Sequence, residues 1–176
     1  MDLKKYLKES ILAGLTTIPF HKATIWIPAV VLYGIIALAI GFGTQLYEIK
    51  SLDVAKFWYL PITLFVFPSF LEEFVFRGLL IPRDALDKGW KHAMGCIIVS
   101  SLAFTLWHPL NALTINPTAQ PFFLNLPFLI IVFCLGVACG VGYVASRSLW
   151  TAVFIHWFTV VTWVFFLGGR NLVIEG

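Results

Sequence analysis

The sequence predicts an all-α fold, a polytopic transmembrane helix bundle of about five spans preceded by an interfacial amphipathic helix. Three observations carry this prediction. The chain is 60% hydrophobic and 12% charged, with a mean hydropathy of +0.90, whereas soluble domains carry about 25% charged residues. Its apolar residues gather in runs near the roughly 20 residues that span a bilayer. From Ala93 to Ser146 there is no Lys, Arg, Asp or Glu at all. With 176 residues the chain is short enough for one domain. Its net charge of +3, without a dense Lys/Arg cluster, excludes a nucleic-acid face. Cys96, Cys134 and Cys139 lie in apolar stretches with no CxxC and an odd count, which points to buried thiols rather than a disulfide framework.

Residues 1–22 read as the amphipathic segment. Leu3, Leu7, Ile11 and Leu15 recur every four positions with Tyr6 beside them, and Lys4, Lys5, Lys8 and Glu9 fall elsewhere on the wheel. This segment lacks a small-residue cleavage site and is not expected to be a signal peptide. Residues 23–56 hold the first span, about 23–47, and a loop carrying Glu48 and Lys50. Residues 57–167 form the core of the chain, with spans near 57–81, 93–113, 122–145 and 149–167, and residues 168–176 are a short tail. The uncharged stretch is too long for one helix, so the turn falls at Asn116-Pro117-Thr118-Ala119-Gln120-Pro121. Gly136, Cys139, Gly140 and Tyr143 suit close helix packing in the fourth span.

Loop charges set the orientation. With the N-terminus cytoplasmic, the inner segments hold Lys4, Lys5, Lys8, Lys22, Arg83, Lys88, Lys91 and Arg147, and the outer ones hold Lys50, Lys56 and Arg170. The expected location is the plasma (inner) membrane.

The second span contains charges that a membrane should reject. Glu72, Glu73 and Arg77 interrupt an apolar run, at a cost of roughly 2.5–3.5 kcal/mol each near mid-bilayer before pairing. On an α-helix Glu73 and Arg77 lie about 40° apart and can pair, whereas Glu72 is about 140° from Arg77 and points elsewhere. The pair reads as a structural clasp, and Glu72, left without a helical cation, as a candidate general base. Pro68, four residues earlier, can kink the helix there. His108 and His156 lie deep in two further spans. Each alone reads as an interhelical hydrogen-bond donor. Together with a free carboxylate on a third helix they read as one central site. Asn111 follows His108 on the same face, although Pro109 disturbs the geometry, and Thr159 lies near His156. Trp107, Trp157 and Trp163 read as packing or interfacial residues.

In order, Glu72-Glu73-x-x-x-Arg77 followed by Gly78, then Phe104-x-x-x-His108, then a late intramembrane His156, resemble the CPBP family. These are the CAAX proteases and bacteriocin-processing enzymes, also called the Abi family. The resemblance covers residues 57–167 and implies an intramembrane glutamate-type endopeptidase. It implies that Glu72 and His108 polarise a water for attack on a peptide carbonyl, that His156 stabilises the oxyanion, and that Glu73 and Arg77 are structural. The family usually completes the oxyanion site with an Asn or Asp one turn after the last histidine, where this chain has Val160. Either His156 acts alone, or Asn111, Thr159 or a backbone N–H substitutes. No cofactor is expected; zinc on Glu72, His108 and His156 is the weaker alternative, as there is no HExxH. The implied partners are membrane lipid and a peptide or lipidated-protein substrate, arriving from the lipid phase or the cytoplasmic face. Two other readings stand beside the enzyme: a catalytically impaired scaffold or substrate-binding homologue, motivated by Val160, and a bis-histidine haem or proton-relay protein.

Overall fold

A computed structural model describes residues 3–169. Arg170 and the rest of the tail lie outside the described residues, as do the side chains of Leu3, Lys4, Lys5, Tyr6 and Leu7. The fold is a helical membrane bundle, with no strand beyond an isolated bridge among the described residues. Helix α1 (Leu3–Thr16) precedes α2 (Ala23–Gly43), then α3 (Leu60–Leu64) and α4 (Leu71–Glu73). After these come α5 (Trp90–Thr114), the short α6 (Gln120–Phe123), α7 (Leu126–Ser146) and α8 (Leu149–Phe166). Four of them, α2, α5, α7 and α8, are long and apolar enough to cross a membrane.

The remaining predicted span is present but broken. Helix α3 runs into a π-helical stretch, Phe65–Phe70, interrupted at Phe67, whose φ of −135° and ψ of 125° are extended. Pro68 explains the interruption. It removes a backbone donor and sterically disfavours the helical conformation of the residue before it. The Phe67–Pro68 peptide is cis. The chain resumes as α4 and widens into a second π-helical segment, Phe74–Leu79. The break falls just before the acidic pair, and Glu72, Glu73 and Arg77 sit on the re-formed half.

Helix α7 is the axis of the bundle. Of its most apolar window 67% is buried, against 17% for α2 and 44% for α8. Small residues permit this. A Cβ on Gly140 would come within 2.8 Å of Ile97 Cγ2 on α5, and one on Gly136 within 3.0 Å of Ser101 Cβ. The helix begins later than the apolar run suggests. Asn125 accepts a hydrogen bond from the Phe128 N–H at 3.4 Å and Pro127 stands in the first turn, so the N-terminus is fixed at Leu126. Phe122 and Phe123 are thereby left to a separate turn.

The two ends of the bundle differ. At one, the turn after α1 is tied to the start of α8 by Ser148 Oγ donating to Thr17 O (2.7 Å), Trp150 Nε1 to Leu15 O (2.7 Å) and Thr151 Oγ1 to Pro19 O (2.6 Å). Arg83 donates to Thr17 Oγ1, and Arg147 pairs with Asp87. At the other end, the N–H groups of Glu48, Lys50 and Leu52 donate to Leu167, Phe166 and Phe165. These bonds use carbonyls that the end of α8 would otherwise leave unpaired.

Candidate active site

Glu73, Arg77 and His156 form one buried cluster. Glu73 and Arg77 are fully buried and His156 is 3% exposed. Arg77 Nη1 donates to Glu73 Oε1 at 2.9 Å, as the i,i+4 spacing predicts. Its Nη2 donates to Gly136 O, also at 2.9 Å, and its guanidinium lies 4.6 Å from the centre of the Phe104 ring. Gly136 is needed here, since a Cβ would press on Arg77 Nη2 at 3.2 Å. The same Glu73 oxygen also meets His156 Nδ1 at 2.9 Å. The clasp therefore joins α4, the π-helical segment after it, α7 and α8.

Glu72 faces the other side. Its Oε1 accepts a hydrogen bond from Trp107 Nε1 at 3.3 Å, and its Oε2 lies 3.9 Å from His156 Nε2, too long for a direct hydrogen bond. Glu72, His108 and His156 line one cavity of about 500 Å³, and Asn111, Thr159 and Val160 share its wall. Phe104, Phe122, Phe123 and Phe128 make most of the rest apolar and aromatic.

The hydrogen bonds fix the ring protons. His108 Nδ1 lies 2.9 Å from Phe104 O, which can only accept, so Nδ1 carries a hydrogen and, in the neutral ring, Nε2 is the lone-pair nitrogen. His156 Nδ1 meets the Glu73 oxygen that also accepts from Arg77, and is likewise the donor. Its Nε2 can then donate only as the imidazolium. Thr159 donates its hydroxyl to Ile155 O at 2.9 Å, which leaves it only as an acceptor. Among the described residues, Asn111 makes no side-chain hydrogen bond, so its amide N–H groups are free donors at the wall.

The structure thus brings together the candidates on three helices and separates the carboxylates as helix geometry suggests. Pro109 does not part His108 from Asn111; α5 runs through it and both line the cavity. Three contributors escape the sequence reading. Trp107 touches Glu72 rather than merely packing. Tyr33 of α2 and Tyr47 of the following loop wall the cavity from outside the motif-bearing stretch. Tyr47 folds back onto Gly41, where its ring fills the place of a Cβ, and no local pattern in the sequence announces this. Among the described residues, no three His, Cys, Asp or Glu side chains are grouped as metal ligands.

Comparison with known proteins agrees with the motif resemblance. No curated protein and no solved structure matches the chain. The profile of the family described as type II CAAX prenyl endopeptidase Rce1-like matches residues 54–162, more than half of the chain and all of its acidic and histidine motifs. This chain, an integral membrane protein, belongs to the Rce1-like family of CAAX-type intramembrane proteases.

Proposed function

We propose that the chain is an active intramembrane endopeptidase that hydrolyses a peptide bond of a membrane-associated peptide or lipidated protein, with residues 57–167 as its catalytic core. The observation that carries this is the convergence of Glu72, His108 and His156 on one cavity from three separate helices. Glu72 takes one proton from a water whose other hydrogen bonds to the lone pair of His108 Nε2, as the water oxygen bonds to the carbonyl carbon, and Glu72 holds that proton for the leaving group. The tetrahedral oxyanion is held by the Asn111 amide and by His156 in its imidazolium form. The C–N bond then breaks and the leaving amine takes up the proton. Glu73 and Arg77 hold His156 in place and touch no substrate. The reaction is metal-independent. The protein resides in the plasma (inner) membrane with its N-terminus in the cytoplasm.

The test is cleavage of a fluorogenic lipidated peptide by the purified protein in liposomes. Glu72→Gln and His108→Ala are expected to lower the rate about 10²–10⁴-fold, at unchanged melting temperature, with wild-type activity intact in a chelator. Full activity in both variants overturns the assignment. A second reading, a scaffold or substrate-binding homologue, is favoured by Val160, which puts an apolar side chain in the wall where the family usually has a donor. It predicts no cleavage by the wild type, and a null phenotype that Glu72→Gln still complements.

A further inference from the structure

The cavity is confined to one half of the bundle. It is lined from the last half of α5, the first half of α7 and α8 from His156 onward, together with the stretch of the broken span up to Glu72. Because these helices alternate in direction, all four pieces lie at the same end. That end also supplies connections to the lining, through Tyr47 after α2 and through Asn116, Phe122 and Phe123 between α5 and α7. No lining residue comes from the opposite connections at 17–22, 80–89 or 146–148.

The cations are partitioned the other way. Lys8, Lys22, Arg83, Lys88, Lys91 and Arg147 belong to the end away from the cavity, and Lys50 and Lys56 to the end that holds it. The connection at 115–125 carries no charge. Short loops rich in Lys and Arg are retained in the cytoplasm, and acidic residues such as Asp84 and Asp87 do little to offset this. We infer that the catalytic cavity opens on the extracytoplasmic side, so that its substrate presents the scissile bond there: a peptide, or an outer segment of a membrane protein, anchored in the outer leaflet. This rests on the reading of the cavity as an endopeptidase site, and it replaces the expectation of cytoplasmic entry. The lining supplies a route. Ile115, 67% exposed, stands at the cavity end, and Phe67, 55% exposed, stands at the break in the second span, where an acyl chain or apolar side chain can enter sideways.

The test uses the full chain with Cys96, Cys134 and Cys139 changed to Ala and a single cysteine introduced by Thr118→Cys or Lys88→Cys, both on exposed loops at opposite ends. A membrane-impermeant maleimide added to intact cells is expected to label the Thr118→Cys protein at least ten-fold more than the Lys88→Cys protein, which labels only after permeabilisation. The reverse pattern overturns the inference. Should the cysteine-free chain fail to insert, an epitope tag placed after Thr118 and read by antibody on intact cells decides the same question. The companion measurement is cleavage of added lipidated peptide by sealed vesicles of either orientation. Cleavage by right-side-out vesicles is expected, and cleavage by inside-out vesicles alone overturns the inference. If neither vesicles nor solubilised protein cut, the endopeptidase reading fails, while the labelling still decides which side the cavity faces.

Discussion

One oxygen, Glu73 Oε1, accepts both Arg77 Nη1 and His156 Nδ1, and this double acceptance holds two charges and an imidazole in the interior. Removing one partner of such a buried pair leaves the other uncompensated, at a cost of about 3–5 kcal/mol, whereas removing both is far milder. Arg77→Met is therefore expected to lower unfolding free energy by about 3–5 kcal/mol in a detergent denaturation series, and Glu73→Leu with Arg77→Met to recover most of it. A loss below about 1 kcal/mol for the single change rules out the clasp. The neighbouring polar groups separate by what they can still donate. Thr159 already donates its hydroxyl to Ile155 O and Val160 has no donor, which leaves Asn111. Losing one oxyanion donor costs about 10²–10³ in rate, so Asn111→Ala is expected to fall by that factor with KM nearly unchanged, and Val160→Asn added to it to regain part of the loss. An Asn111→Ala enzyme that turns over at the wild-type rate removes this role. Of these residues the Glu73–Arg77 pair was legible in the sequence, because i,i+4 spacing is local. Trp107 was not, because its bond to Glu72 joins residues 35 positions apart and spacing along α5 says nothing about it.

At the scale of elements, close approach of α5 to α7 places His108 across from the clasp, and glycine makes it feasible. A Cβ at Gly140 meets Ile97 Cγ2 at 2.8 Å inside a packed core, and overpacking of this kind costs about 1–3 kcal/mol. Gly140→Ala should be destabilised by that amount, and Ile97→Ala should relieve it, so that the double variant is more stable than the sum of the single losses. Additive losses would show that the clash is absorbed elsewhere. The small residues of the fourth span pointed to such packing. The break of the second span was legible in part, since Pro68 predicts a kink in the helix there but not an interruption. Its π-helical continuation was not, because the sequence shows no rule for an added residue per turn. The late start of α7 followed from capping by Asn125, a local signal that the unbroken run of apolar residues obscures.

Across the whole molecule, topology distributes roles between the two ends, with the cavity and the connections that cover it at one and the cations and α1 at the other. Helix direction follows from counting spans, so the grouping of loops by end was within reach of the sequence. The location of the cavity was not, because it depends on which halves of α5, α7 and α8 diverge. At the basic end, the turn after α1 is held to the first turns of α8, the helix that carries His156, by side chains donating to backbone carbonyls of Leu15, Thr17 and Pro19. Such bonds contribute about 0.5–1.5 kcal/mol each. Ser148→Ala with Thr151→Val removes two of the three, and the third, from Trp150, remains. The core contacts of α5 with α7 are untouched by this change, so amide exchange should quicken about ten-fold or more in α1 alone, following a local loss of about 1–3 kcal/mol. Equal quickening in α5 and α7 would mean that α1 is part of the cooperative core, and no change anywhere would mean that these bonds do not hold it. The first outcome makes α1 a separately releasable strap at the end of the bundle farthest from the cavity.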